Sequence, residues 1–164
     1  MKRIFFLLIM IIATFVSCTY YDAFPPTLVS YFPYTENQQL VFTNERNDTT
    51  VLTVLEVHVS EKRCYLRGAK CRYVGMWFYA QNDTMTCRGE TALTFSNGIQ
   101  MTLGTCGIPY DREYYGDPYS SQMAAQIGDT VHFTHGNYEA IVVRYEGLVK
   151  FDDAKHECVW TLVK

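Results

Sequence analysis

The sequence lacks the short motifs that hold catalytic groups in common enzyme families. It contains no G-x-S-x-G, no H-E-x-x-H, no P-loop and no glycine pattern for a dinucleotide. It also lacks C-x-x-C, and no cysteine–histidine spacing matches a structural zinc site. These absences favour a protein that binds over one that catalyses. We expect no catalytic residue, no cofactor and no metal.

A net positive charge is also missing. The chain has 14 Lys and Arg against 17 Asp and Glu, for a formal net charge of −3. A nucleic-acid surface needs clustered basic side chains, so nucleic acid is excluded as the expected partner. Sustained helical periodicity is absent too, which leaves strands as the expected elements.

Long apolar runs are limited to one, at the start of the chain. Lys2 and Arg3 precede Ile4–Phe15, which is almost entirely apolar. This run is shorter than the roughly 20 residues that cross a bilayer as a helix. A charged start followed by a short apolar run is typical of a secretory signal. A retained anchor helix is the less favoured alternative.

The end of that run resembles the lipobox of bacterial lipoproteins. Phe15-Val16-Ser17 leads into Cys18, although that family usually has Leu where Phe15 stands. The resemblance implies a diacylglycerol thioether on Cys18 and loss of residues 1–17. It also implies the outer membrane of the bacterial cell envelope, since no Asp follows Cys18. Ordinary signal cleavage near Cys18 is the alternative.

The mature chain divides into a tether and one domain. Residues 18–37 contain Pro25, Pro26 and Pro33, which predict an extended, non-helical tether. We expect the tether to lift the domain off the membrane and then to pack its aromatic side chains onto the domain. Residues 38–164 form a single β-rich domain. The phrase YFPYTENQQLVFTN resembles the start of small β-rich lipoproteins of Bacteroidetes, a likeness that implies compartment and fold but no activity.

The domain is predicted to be all-β, an antiparallel barrel or sandwich of about eight to ten short strands. Within 49–59, strict alternation places Val51, Leu55 and Val57 on one face. Residues 120–128 are predicted to form one or two helical turns.

Asn97-Gly98 predicts a two-residue hairpin turn. Its register places Cys106 opposite Gly89, diagonal to Cys87. Residues 104–119 are predicted to form a long loop.

The remaining cysteines suggest disulfides in an oxidising compartment. Cys64 and Cys71 fall opposite each other in a predicted hairpin. Cys87 and Cys106 need a bulge to close the gap between them, and Cys158 is left over. His132 and His135 have a spacing that places them on opposite faces of a strand, which predicts no metal pair.

Tyrosines supply the favoured binding residues, because their rings offer rigid amphipathic area. We expect the predicted loop to present them to a glycan or an envelope protein, or else to cap the barrel. Asp111, Glu113 and Asp117 are its carboxylates, with a solvated loop as the favoured interpretation. The tyrosines are Tyr110, Tyr114, Tyr115 and Tyr119.

Three Asp-Thr pairs resemble the O-glycosylation motif of exported Bacteroidetes proteins, although Asp-Thr is also common in turns. They place candidate glycans on Thr49, Thr84 and Thr130.

Together these patterns predict a membrane-anchored lipoprotein with a non-enzymatic binding or accessory role in the cell envelope. The alternative is a lipocalin-like carrier whose barrel holds a small ligand or glycan. A hydrolase is the third hypothesis.

Overall fold

A computed structural model of the protein describes residues 24–59, 75–94, 98–116 and 120–163. Several sequence predictions lie outside these ranges and stay predictions. They are the acylation of Cys18, the Cys64–Cys71 disulfide, and the roles of Asp117 and Tyr119.

Ten antiparallel strands form one sheet that curls into a nearly closed barrel. The all-β prediction is confirmed, and the barrel is the form adopted. Each strand pairs with its sequence neighbours, apart from β6 and β7, and β1 also pairs with β10. The strands are β1 (Gln39–Thr43), β2 (Thr49–Val59), β3 (Gly75–Gln81), β4 (Thr86–Thr94), β5 (Gly98–Thr105), β6 (Ile108–Tyr115), β7 (Thr130–His135), β8 (Tyr138–Val143), β9 (Gly147–Asp153) and β10 (Cys158–Leu162).

The barrel is completed between β6 and β7 by side chains. Arg112 Nε donates to the His132 carbonyl at 2.9 Å. The Tyr110 and Phe133 rings lie 6.3 Å apart behind that bond. The β6–β7 connection contains helix α2 (Ser121–Ile127), whose N-terminus is capped by the Ser120 hydroxyl. The predicted one or two helical turns at 120–128 are therefore confirmed.

Two short helices accompany the strands in the described residues, α1 (Pro26–Val29) and α2. Among the described residues, therefore, no helix is long and apolar enough to cross a membrane.

The barrel has two different ends. Five tight turns meet at one end, which we call the turn end; they are residues 44–48, 82–85, 106–107, 136–137 and 154–157. The opposite end carries residues 24–34, the 144–146 turn and α2, and we call it the plug end.

Residues 24–34 are part of the barrel core, where the sequence predicted an extended tether. Pro26 begins the one-turn helix α1, since proline at the first helical position loses no hydrogen bond. Phe24, Tyr31, Phe32 and Tyr34 are each at most 6 % exposed. Among the described residues, the packed unit therefore begins at Phe24, and the boundary at residue 38 moves accordingly.

Aromatic contacts fix this segment inside the plug end. The Phe32 ring lies 5.1 Å from Phe78, and the Tyr34 ring lies 4.5 Å from Phe78. The Tyr34 hydroxyl accepts a hydrogen bond from Leu148 N at 2.6 Å. The backbone of Tyr145 donates to the Ser30 carbonyl at 2.6 Å. Ring packing and hydrogen bonds together make the segment a plug of the barrel.

Truncation of the plug should be costly. We expect Phe32→Ala to lower the free energy of unfolding by about 3–5 kcal/mol, because it removes a fully buried ring and leaves a cavity. Thr27→Ala, an exposed change in the same segment, should cost less than about 0.5 kcal/mol. Urea unfolding of the two variants measures the difference. Equal, small losses would mean that residues 24–34 are a tether after all.

The predicted two-residue turn at Asn97-Gly98 is wrong, and so is the strand register that was derived from it. Gly98 pairs with Thr94 inside the sheet, and Cys87 lies opposite Thr105. The predicted register, with Cys106 opposite Gly89, is therefore displaced. The next hairpin, between β5 and β6, turns at Cys106-Gly107, where both residues have the positive φ of a type I′ turn. Consequently residues 108–115 form strand β6, where a loop was predicted.

Candidate functional site

The predicted tyrosine loop is a strand, and its tyrosines therefore point to different surroundings. Tyr110 is 1 % exposed and lies beside Phe133 and His135, so it belongs to the core. Burial raises its pKa to about 12. Tyr114 is half-buried, and burial raises its pKa too. Tyr115 is 63 % exposed. These three side chains do not form one binding surface.

The carboxylates of the same strand do not form a catalytic pair. Asp111 and Glu113 are exposed on the outer face of β6. Glu113 accepts a hydrogen bond from the Tyr115 hydroxyl, which raises the pKa of Tyr115.

His132 and His135 lie on opposite faces of β7, as their spacing predicted. His132 points outward and contacts Glu139, with Nδ1 and Oε1 3.0 Å apart. Lys150 Nζ lies 3.2 Å from the other Glu139 oxygen. These two contacts lower the pKa of Glu139. The His135 ring faces Tyr110 at 6.5 Å.

Cys87 and Cys106 are free thiols in the structure, and the predicted disulfide between them stays a prediction. The actual hairpin turn places Cys106 after the last pair of β5, next to Asp153. Cys158 is also free and is buried at the start of β10. Burial raises the pKa of all three thiols, and the Asp153 charge adds to the effect at Cys106, whose pKa reaches about 12.

These thiols should react slowly in the folded protein. At pH 8 a thiol of pKa about 12 is ionised in roughly one molecule in ten thousand. We expect iodoacetamide to label Cys106 roughly a thousand times more slowly in the native protein than in urea. Mass spectrometry of digested samples gives the rate at each cysteine. Native labelling of Cys106 within tenfold of the unfolded rate would contradict the raised pKa.

The most constrained polar group of the turn end is the Asp153 carboxylate, which is fully buried. Its Oδ1 accepts from Lys155 N at 2.9 Å and from His156 N at 3.2 Å. Its Oδ2 lies 2.6 Å from His156 Nδ1 and 3.2 Å from Trp160 Nε1. Four donors thus converge on one side chain and fix the 154–157 turn.

The electrostatics of Asp153 follow from those contacts. Burial raises the pKa of its carboxyl, but the hydrogen bonds from His156, Trp160 and two backbone amides outweigh burial and hold the pKa below its usual range. Sequence reasoning had only a weak signal at this position, since an Asp followed by a polar turn is common. No sequence pattern indicated that Trp160 and His156 would share its carboxylate.

A first cleft, of about 310 Å³, opens beside Asp153 at the turn end. It is lined by the half-exposed ring of Tyr138, the Asn137 amide and carboxylates from three segments. Besides Asp153, three carboxylates line this cleft, and two of them accept hydrogen bonds from backbone amides. Glu45 accepts from Val159 N at 3.2 Å, and Asp152 accepts from Glu139 N at 2.7 Å. The third is Glu157.

A second cleft, of about 300 Å³, lies on the other side of Cys158. Its lining includes His156 and Trp160, together with the charged residues Arg46 and Asp48. Its rim includes two of the candidate glycosylation sites, Thr49 and Thr84, whose residues are exposed. The third, Thr130, is exposed at the plug end.

The chemistry available in these clefts is recognition by hydrogen bonds and ring contact. Tyr138 offers a flat apolar face, while Asn137, Glu157 and His156 offer donors and acceptors. Among the residues that the structure describes, no group of three or more His, Cys, Asp and Glu side chains could hold a metal ion. The thiols near both clefts are protonated at neutral pH, which makes them poor nucleophiles.

Comparison with known proteins gives no relative. No family model, no curated protein and no solved structure matches the chain. The functional conclusion therefore depends on this chain's own geometry.

Proposed function

We propose that this protein is a lipid-anchored component of the bacterial cell envelope, with acylated Cys18 in the outer membrane. We further propose that it binds, without catalysis, a polar partner such as a glycan or an envelope protein. The observation that carries the binding role is the pair of polar clefts on either side of Cys158 at the turn end.

The state of the titratable groups favours binding over hydrolysis. A catalytic cysteine needs a low pKa and a nearby base, whereas burial raises the pKa of Cys106 and of Cys158. His156 has its Nδ1 against Asp153, but no described serine or activated thiol is hydrogen-bonded to its ring. The hydrolase hypothesis therefore has little support in these clefts.

The packing of the barrel favours surface binding over a carrier role. A carrier needs an apolar cavity of several hundred Å³ inside the barrel. In this chain the interior positions of neighbouring strands are filled by fully buried large side chains, and the plug adds the Phe32 ring. These side chains include Phe42, Leu52, Phe78, Met101, Phe133 and Phe151.

The anchor is tested by fractionation of cells that express the full chain or its Cys18→Ala variant. The native chain should remain with the membranes after a wash in 1 M salt. At that ionic strength the Debye length is about 3 Å, so the wash removes proteins that are held only by charge. The Cys18→Ala variant should appear in the soluble fraction. Retention of Cys18→Ala on membranes after that wash would reject acylation as the anchor.

The binding role is tested by capture of the tagged protein from its own cells in mild detergent. Native mass spectrometry should then find a stoichiometric partner or a bound glycan mass. Repeated recovery of the lone lipoprotein would count against the binding role.

A further inference from the structure

The plug end exposes more large apolar side chains than the turn end does. Among the described residues, the three most exposed are Tyr145 at 71 %, Tyr115 at 63 % and Val163 at 50 %. Val59, at the end of β2, is 44 % exposed. We call these four side chains the plug-end rim. At the turn end, the exposed side chains of this class are Tyr138 at 39 % and Val51 at 38 %, the latter beside Asn82 of the 82–85 turn.

The rim side chains come from different parts of the barrel circumference. Val59 ends β2, Tyr115 ends β6, Tyr145 lies in the turn between β8 and β9, and Val163 follows β10. Tyr145 is held to the core beneath it. Its backbone N donates to the Ser30 carbonyl, and the Arg144 guanidinium lies 5.0 Å from its ring. The rim therefore consists of four exposed apolar or aromatic side chains, of which Tyr145 is fixed to the plug.

The chain enters the barrel through this rim. Phe24, the first described residue, is six positions after Cys18. Six residues span at most about 20 Å when fully extended. Strands of seven or eight residues, tilted by about 40° in a barrel, separate the two ends by roughly 19 Å. An acyl chain on Cys18 therefore attaches the protein to the bilayer through its plug end.

We propose that the plug-end rim rests on the bilayer, with Tyr115 and Tyr145 at the level of the lipid headgroups. Tyrosine is enriched at that level because its ring is apolar and its hydroxyl is polar. This proposal rests on the acylation of Cys18 proposed above. It places the two clefts on the side of the protein that faces away from the membrane, where a partner has access.

The charge of the plug end indicates what kind of lipid surface it contacts. Glu36, Asp129 and Glu146 are exposed there, and Arg144 pairs with Asp129 at 3.6 Å. Among the residues that the structure describes at this end, no basic cluster is present that would attract anionic headgroups. Contact depends instead on the apolar side chains and on the high local concentration that a short tether creates. A zwitterionic bilayer is therefore the appropriate probe.

The test uses the purified acylated protein in phosphatidylcholine vesicles whose acyl chains carry bromine, which quenches nearby tryptophan. Tyr145→Trp and Tyr115→Trp place probes on the rim. Tyr138→Trp, at a residue 39 % exposed at the turn end, is the matched control. The unmodified protein supplies the background from Trp77 and Trp160. We expect each rim probe to be quenched at least twofold more than the control.

Flotation of the same vesicles separates the two proposals. Protein that floats, with rim and control probes quenched equally, would overturn the docking and leave the anchor intact. Protein that does not float would overturn the proposed acyl anchor, and the proposed contact of the rim with the bilayer would then be overturned as well. Having two rim probes protects the test, because each reports independently if the other disturbs the fold.

Discussion

Asp153→Ala should lower the free energy of unfolding by about 3–5 kcal/mol, because it leaves four buried or half-buried donors without their acceptor. Asp83→Ala, at an exposed turn position of the same end, is the matched control and should cost less than about 0.5 kcal/mol. Urea unfolding at pH 7 measures both. A loss below about 1 kcal/mol at Asp153 would show that these hydrogen bonds contribute little net stability.

The pH dependence of the Asp153 contribution has a definite sign. The folded-state pKa of this carboxyl is lower than its unfolded value of about 3.9. The folded protein therefore binds fewer protons at this site, and the stabilisation is fully present above pH 3.9. It is lost as the pH falls through the folded-state pKa. The stability difference between the native chain and Asp153→Ala should accordingly shrink below about pH 4.

Gly147→Ala should be the most damaging of the simple glycine substitutions at the plug end. Gly147 has φ +86°, and an added Cβ would overlap the Tyr34 hydroxyl and lie 2.5 Å from Tyr34 Cζ. The change would strain the backbone and displace the ring whose hydroxyl accepts from Leu148 N. We expect a loss of about 3–5 kcal/mol in the free energy of unfolding.

Gly136→Ala is the control for the backbone part of that loss. Gly136 has φ +60°, but no atom lies within 4 Å of an added Cβ. It should lose only the cost of a left-handed alanine, about 1–2 kcal/mol. Thermal or urea unfolding distinguishes the two substitutions. Equal losses at Gly136 and Gly147 would mean that Tyr34 does not pack against Gly147.

The fold class was predictable because strand alternation and turn residues are local signals. Leu52 and Val54 are both fully buried, as period-two alternation requires. The pattern then fails at Leu55, where a β-bulge changes the register. After the bulge Glu56 pairs with Tyr79 and Val57 with Phe78, so Val57 turns inward instead of sharing the Val51 face. A single unpaired residue moves every later side chain of the strand to the opposite face of the sheet. No residue type in the sequence predicts where such a bulge occurs.

The plug was predicted only in part, because local rules for proline contain no information on tertiary packing. Pro25 and Pro26 do limit helix formation, and α1 is only one turn long. The burial of Tyr31, Phe32 and Tyr34 depends on an open barrel end and on glycine positions far along the chain. The aromatic content of the segment indicated packing onto the domain, but not insertion into the barrel core.

The candidate site was predicted less well than the fold. The tyrosines of β6 were chosen as binding candidates because that stretch is rich in tyrosine, yet the Tyr110 side chain is buried in the core. The turn-end clefts combine residues from turns that are more than one hundred positions apart, such as Glu45 and Glu157. Such combinations depend on barrel closure, which no short pattern encodes.

The most direct test of the account is site-specific photocrosslinking in living cells that express the acylated protein. A photoreactive phenylalanine analogue at Tyr138 probes the first cleft. The same analogue at Leu55, which is 46 % exposed on the barrel wall, is the control. The account predicts a discrete crosslinked envelope protein or glycan from position 138 and none from position 55. Crosslinks from position 55 alone, or equal crosslinks from both positions, would contradict binding at the turn end.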